Sequence, residues 1–423
     1  MIRQNRRSFF KTAGGAVAAL AAPVPLVWAQ GTGAGNAKPI RIGLLTVKTG
    51  TLAAAGKQLE DGIALLLDQR NRTLAGRKVE LIAADTAGQP AQARTKAREL
   101  VERDKVDVLI GPLAAFDALA IIDYVNQVGI PTFLTASAED LTQRKASPWV
   151  VRTTGSAAQF TYPLADHAAK TLGYKRIVTI AEDVAYGHEV CGGFLRAFEE
   201  AGGKVVQRLW APFNATDYGA YIAQIKTEAD AVLAGFAGQN PVRFIKQYAE
   251  FGLKGRIPLL GTLTMTDESI LRVMGAEADG IVSSSCYAAG IDTPANRALR
   301  QATEQATGLT PGYYNCGSHA AGLVIEQALA AVDGRIEDRA AFMKAVRAVR
   351  IADDPRGTFS FDEYGNPVTD QQVFRVTMGE DGKLSNRIIK TYPSVSQFWT
   401  YKPDEFLKNP VYSRDYPQAR FIE

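Results

Sequence analysis

From Ile40 onward the chain alternates between short apolar runs of β character and longer stretches whose apolar residues recur at helical spacing. The first series has strands in IRIGLLT (from Ile40), KVELIAAD (from Lys78), VDVLI (from Val106) and PTFLT (from Pro131). Helical stretches over 52–71, 91–103 and 116–127 lie between them. A second series follows WVVRTTG, with strands in KRIVTIAED, KVVQRLW, ADAVLAGF, RIPLLGT and GIVSSSCY. Its helical stretches cover 158–172, 187–201, 218–228 and 241–251. Strand followed by helix, repeated, builds parallel sheets covered by helices on both faces. The expected fold class is therefore α/β, with two doubly wound parallel-sheet lobes. Two more helices, over 296–307 and 315–331, and a hairpin-like segment over 357–384 complete the pattern.

Function in such folds gathers where a strand hands over to a helix. The turn within VDVLIGPLAAFDALAIIDYV is informative because it lacks chemistry. Leu113, Ala114, Ala115 and Phe116 supply no acid, base, nucleophile or metal ligand. GTLAAAGK, from Gly50, has one residue too many between its glycines for a phosphate loop, and Gln58 stands where a hydroxyl would meet magnesium. No GxSxG, HExxH or CxxC pattern occurs, and His167, His188 and His319 are isolated. Glu182 and Asp183, closing the strand KRIVTIAED, read as a solvated rim or a hinge contact before they read as a catalytic pair. The chain is expected to be no enzyme, with no cofactor and no metal. What the turns share is helix starts bearing small or hydroxyl residues: Thr51, Ala115, Thr135, Ala136, Ser137, Thr262 and Thr264. N–H groups at helix starts attract anionic or carbonyl oxygens without a basic side chain. Such turns hold a ligand rather than transform it.

Charge excludes one class of partner once the leader is set aside. Residues 1–29 combine a basic start, MIRQNRRSFFK, with an apolar stretch too short to span a bilayer. The segment from Arg6 to Lys11 is similar to a twin-arginine export signal, with a Sec-type signal or an anchor as alternatives, and cleavage is expected near Ala29. Four of the 48 Lys and Arg leave with this segment, which balances the remaining 44 against 44 Asp and Glu. A near-neutral mature chain gives nucleic-acid binding no support. Cys191, Cys286 and Cys316 are few and odd in number, so free buried thiols are expected over a Cys286–Cys316 bridge. Residues 30–38 read as a flexible linker. Eight of the 32 residues from Tyr392 to the end are aromatic, unlike a disordered tail, so this segment is expected to wrap a lobe surface.

Several longer segments carry a family likeness: IRIGLLTVKTGTLAAAGKQLEDGIALLLDQRN, VDVLIGPLAAFDALAIIDYVNQVGIP, VVRTTGSAAQ, IAEDVAYGHEVCGGFLRAFEEAGGKVV, DAVLAGFAGQNPVRFIKQYAEFGLKG and GTFSFDEYGNP. Together they run in order through most of the chain. It resembles the periplasmic solute-binding proteins of branched-chain-amino-acid-type ABC importers, the leucine/isoleucine/valine-binding family. That resemblance implies a type I periplasmic binding fold whose two lobes, joined by a three-segment hinge, close over a ligand. It divides the chain into 39–152 plus 283–356 (N-terminal lobe), 153–282 plus 357–391 (C-terminal lobe) and an aromatic-rich tail over 392–423. It also implies a periplasmic monomer, a small-molecule ligand and an inner-membrane ABC permease as partner.

Carried over position by position, the family's serine falls at Ala115, followed by Phe116, and its Ala/Thr pair falls at Ala136 and Ser137. Its "YG" tyrosine is Tyr186, and its next aromatic falls at Ala237, with Phe236 beside it as the expected replacement. The acid that holds an amino acid's ammonium falls at Leu263 or Thr262. A buried, unpaired ammonium costs several kcal/mol, so an α-amino acid should bind poorly unless Asp183 or Glu182 reaches in. With Leu52 added, the expected ligand-binding set is Leu52, Ala115, Phe116, Ala136, Ser137, Tyr186, Phe236 and Leu263. It suits a small organic acid with an apolar or aromatic body. The alternatives are a branched-chain amino acid or amide for the same importer type, or the ligand-binding module of a sensory receptor.

Overall fold

A computed structural model describes residues 38–422. The leader and nearly all of the linker lie outside them. Residues 38–422 hold two sheets. In the first, β1 (Ile40–Thr46) is central, flanked by β3 (Arg77–Asp85) and β4 (Val108–Ile110). The order is β2-β3-β1-β4-β5-β6, where β2 is Thr73–Leu74, β5 is Thr132–Leu134 and β6 is Val150–Arg152. All neighbours are parallel except β2, which forms a hairpin with β3. Strands buried on both faces read as continuous apolar runs, and Val108–Ile110 and Thr132–Leu134 are buried throughout.

The second sheet begins with a parallel run, β8-β7-β9-β10-β11: β7 Arg176–Glu182, β8 Lys204–Ala211, β9 Ala231–Gly235, β10 Leu259–Gly261 and β11 Val282–Ser285. Antiparallel strands then extend it: β12 (Arg350–Asp354), β13 (Gly357–Phe361), β14 (Pro367–Met378) and β15 (Leu384–Val395). The β12–β13 hairpin hydrogen-bonds to β14, yet Ile351, Phe359 and Phe361 belong to the apolar cluster under the first sheet. The chain thus crosses between the lobes' cores here as well as after β6 and β11. Val324, Ile325 and Ala328 of the Tyr313–Ala331 helix share that cluster with Leu59, Ile63 and Leu66 of the Ala53–Gln69 helix, so a late segment completes the earlier lobe.

The helix expected over 218–228 is confined to Gly219–Ile222. The Gln207 side chain, on neighbouring β8, donates to the Gln224 carbonyl at 2.8 Å and accepts from the Lys226 N–H at 3.0 Å. It occupies backbone groups that a longer helix would need. A helix over Arg339–Ala348, not foreseen from the sequence, has Asp338 capping the Ala341 N–H.

The aromatic tail lies on the Ala157–Lys170 and Ala185–Glu200 helices. The Tyr162 and Tyr412 hydroxyls meet at 2.9 Å, Trp399 stacks on Tyr162, and the Arg196 guanidinium sits 3.7 Å above the Tyr401 ring. All three cysteines are buried free thiols. No helix among the described residues is long and apolar enough to cross a membrane.

Candidate functional site

The carboxyl ends of both parallel runs face one cleft, which encloses about 470 Å³ of empty space, its mouth included. The first-lobe wall is built from the strand-to-helix turn after β4. Leu113, Ala114, Ala115 and Phe116 line the cavity where the Ala115–Val128 helix begins. Ala114 is extended and no side chain caps that helix, so its first N–H groups lack intrahelical acceptors. Leu52, preceding the Ala53–Gln69 helix, and Ser137, after β5, complete this wall. One acid sits in the same first turn: Asp117 is buried and its Oδ2 accepts from the Thr86 hydroxyl at 2.7 Å. Burial pushes its carboxyl up to about 6.

The second-lobe wall comes from the equivalent turn after β7. Glu182, Val184 and Tyr186 line the cavity, joined by Phe213, Ala237, Leu263 and Thr264. The Tyr186 hydroxyl lies 2.8 Å from Thr262 Oγ1 and 2.7 Å from Thr264 Oγ1. Thr264 in turn donates to the Phe236 carbonyl at 2.6 Å. Burial raises the phenol well above its ordinary range, so it stays neutral. Phe116 and Phe213 meet edge to face across the cleft at 5.6 Å, and the Gln239 N–H donates to the Thr51 carbonyl at 3.2 Å. Both contacts join one lobe to the other.

Six of the eight expected residues line this cavity: Leu52, Ala115, Phe116, Ser137, Tyr186 and Leu263. Two do not. Ala136 is fully buried beneath the wall, and its carbonyl accepts from the Arg152 guanidinium. Phe236 stacks on Phe244 at 4.5 Å and meets Tyr218 edge-on, inside the lobe. Just beyond β9, successive residues still face opposite ways, so Phe236 enters the core and Ala237 faces the cavity. Tyr313 and Tyr314 also line it, at the start of a helix that begins two residues earlier than the sequence pattern suggests. Thr310-Pro311-Gly312 was the available signal for that start.

Of the two carboxylates considered from sequence, Asp183 stays at the rim, paired with His188 at 2.7 Å and Arg414 at 2.8 Å. Glu182 lies in the wall, and burial pushes its carboxyl up to about 8. No Lys or Arg lines the cavity, and no group of His, Cys, Asp and Glu among the described residues could hold a metal ion. The arrangement can enclose a solute and hydrogen-bond it, with no nucleophile and base brought together.

A family model for periplasmic binding proteins matches residues 39–383. The chain belongs to the periplasmic binding protein family. This binding protein is 28% identical over 373 residues to the Leu/Ile/Val-binding protein homolog 6 of Brucella suis biovar 1, covering 86% of this chain and 95% of that one. Among solved structures it is similar to an ABC transporter substrate-binding protein from Sphaerobacter thermophilus, with 38% identity, a TM-score of 0.80, and 85% and 99% of the two chains covered. A solute-binding protein of an R. palustris ABC transporter, solved in complex with benzoate, matches with 28% identity and a TM-score of 0.79 over 85% and 98%. The binding protein is therefore a periplasmic, solute-binding component of an ABC transporter with the type I fold, and not an enzyme.

Proposed function

We propose that this binding protein captures a small organic acid with an apolar or aromatic body, for delivery to an inner-membrane ABC permease. One observation carries the reading. An uncapped helix start faces a cavity walled by Phe116, Phe213, Tyr186 and Leu263, and no cationic side chain lines it. Main-chain N–H groups of the Ala115–Val128 helix would hold the ligand's carboxylate, as helix starts hold anions elsewhere. The rings and Leu263 would cover its body, each ring pair adding about 0.5–1.5 kcal/mol beyond area burial. The ligand-contacting residues are then Leu52, Ala115, Phe116, Ser137, Tyr186 and Leu263, with Phe213, Ala237 and Tyr314 added. The benzoate bound to the R. palustris neighbour is of this chemical class.

A thermal-shift screen of the purified mature protein tests the reading. Benzoates and hydrophobic keto acids should raise the melting temperature, while leucine, isoleucine and valine should do so weakly. No shift with any acid, alongside a strong shift with an amino acid, would leave the branched-chain reading in its place. That second reading rests on Glu182, the one carboxyl in the wall. The remaining assignments follow the same proposal: residues 1–29 form a cleaved twin-arginine-type leader, the lobes divide at the three crossings, and the mature protein works as a monomer.

A further inference from the structure

One polar atom in the cavity wall is left over by every interaction described so far. Glu182 ends β7, and its Oε1 accepts from the Asn240 amide at 2.7 Å and the Ala237 N–H at 3.2 Å. Asn240 also donates to the Phe213 carbonyl at 2.8 Å, which ties the carboxyl's position to the loop carrying the cleft's aromatic ring. Glu182 and Asn240 are at most 1% exposed, so this arrangement is rigid. Oε2 is buried and has no hydrogen-bond partner among the described residues. A buried oxygen without a partner is costly, and Glu182 is among the residues lining the cavity, so a bound ligand is the neighbour that could supply one.

We propose that Glu182 is a specificity-determining residue: its free Oε2 hydrogen-bonds a hydroxyl group on the ligand, remote from the carboxylate held at the opposite wall. The inference rests on the organic-acid reading above and narrows it to hydroxy acids. Three observations favour a hydroxyl over an ammonium. An ammonium brings three donors and a charge, but the Tyr186 and Thr264 hydroxyls beside Glu182 are already engaged with Thr262, with each other and with the Phe236 carbonyl. Leu263 occupies the neighbouring wall and offers no acceptor. No cationic side chain lines the cavity to hold Glu182 ionised, and burial keeps it protonated near neutral pH. A protonated carboxyl donates through Oε2 to a hydroxyl oxygen, and an ionised one accepts from the hydroxyl hydrogen. A hydroxyl satisfies either form; a methyl group satisfies neither.

Isothermal titration of the mature protein with hydroxyl/methyl pairs tests this: 4-hydroxybenzoate against 4-methylbenzoate, and 5-hydroxypentanoate against hexanoate. The wild type should bind the hydroxy member of at least one pair about 10-fold more tightly. Glu182→Leu should bring that ratio close to one, whatever its absolute affinities, and Glu182→Gln should retain a preference. A wild-type ratio near one overturns the proposal and leaves the organic-acid reading standing, and this readout needs no variant to fold. An unchanged ratio in Glu182→Leu overturns it too, as does tighter binding of 4-(aminomethyl)benzoate than of 4-hydroxybenzoate. Binding of no acid from either pair overturns both readings together.

Discussion

The two walls of the cleft are the same piece of architecture used twice, a strand ending at the cavity and a helix starting beside it, yet they present opposite chemistry. After β4 the wall offers backbone N–H groups and small or apolar side chains, Ala114, Ala115 and Phe116. After β7 it offers a neutral acid, a phenol locked by two threonines, and rings. The first wall would bind through what any sequence with small residues supplies, and so would constrain charge and little else. The second would bind through placed side chains, and so could discriminate. Under the proposed organic-acid reading, affinity for a carboxylate and choice among carboxylates would be separated onto different lobes.

The sharpest way to break this division is to give the second wall a charge. Leu263→Glu puts an ionisable acid into a cavity with no cationic side chain, where like charges meet at low dielectric. Organic-acid affinity by titration calorimetry should fall at least about 100-fold, and leucine affinity should rise; an unchanged profile would mean Leu263 does not face the ligand. Phe213→Ala removes one ring of the edge-to-face pair across the cleft. Area burial and ring contact together predict a loss of about 10- to 100-fold, equal for hydroxy and methyl acids if this ring only covers the ligand. Gly238 has φ +62°, and a Cβ there would approach the Thr51 carbonyl oxygen to 2.3 Å. Gly238→Ala should therefore weaken this contact between the two walls, with stopped-flow ligand release several-fold faster and association little changed. Asp117→Asn removes the one acid in the first turn of the anion-facing helix, and carboxylate affinity should rise by about 2- to 5-fold. The smallest effect is thermal. Burial raises Glu182 and Glu268 to about 8 and Glu139 to about 7. Between about pH 4.5 and 8 the folded protein thus keeps protons that the unfolded chain has shed. Their contribution is full below about pH 4.5 and is lost as pH rises through 7 to 8. The melting temperature should fall across that window, and Glu182→Gln should flatten the decline.

The alternation of strands and helices was legible because burial on both faces forces long apolar periodicities onto the sequence. The turn after β4 was legible as a strand-to-helix boundary for a related reason: Gly111-Pro112 breaks the apolar run just before the helical spacing begins. Phe236 was misplaced because a single step at a strand's end reverses the side on which a ring falls, and both choices, core and cavity, reward an aromatic. Tyr313 and Tyr314 were missed because they arrive from a helix far along the chain, packed beside Leu52 only by the tertiary fold. Glu182 was read as rim because its strand ends in two acids, and only the Asn240 and Ala237 contacts distinguish the inward one from its neighbour. The shortened helix at Gly219–Ile222 has the same origin, a glutamine on an adjacent strand.

The aromatic strap over 398–416 and the Tyr313–Ala331 helix have a consequence for how the protein is made. Each lobe borrows its last packing partner from sequence that emerges from the ribosome late, so a nascent chain halted before residue 313 carries no finished lobe at all. Completion of either core then draws on the last quarter of the polypeptide rather than on a self-sufficient first half.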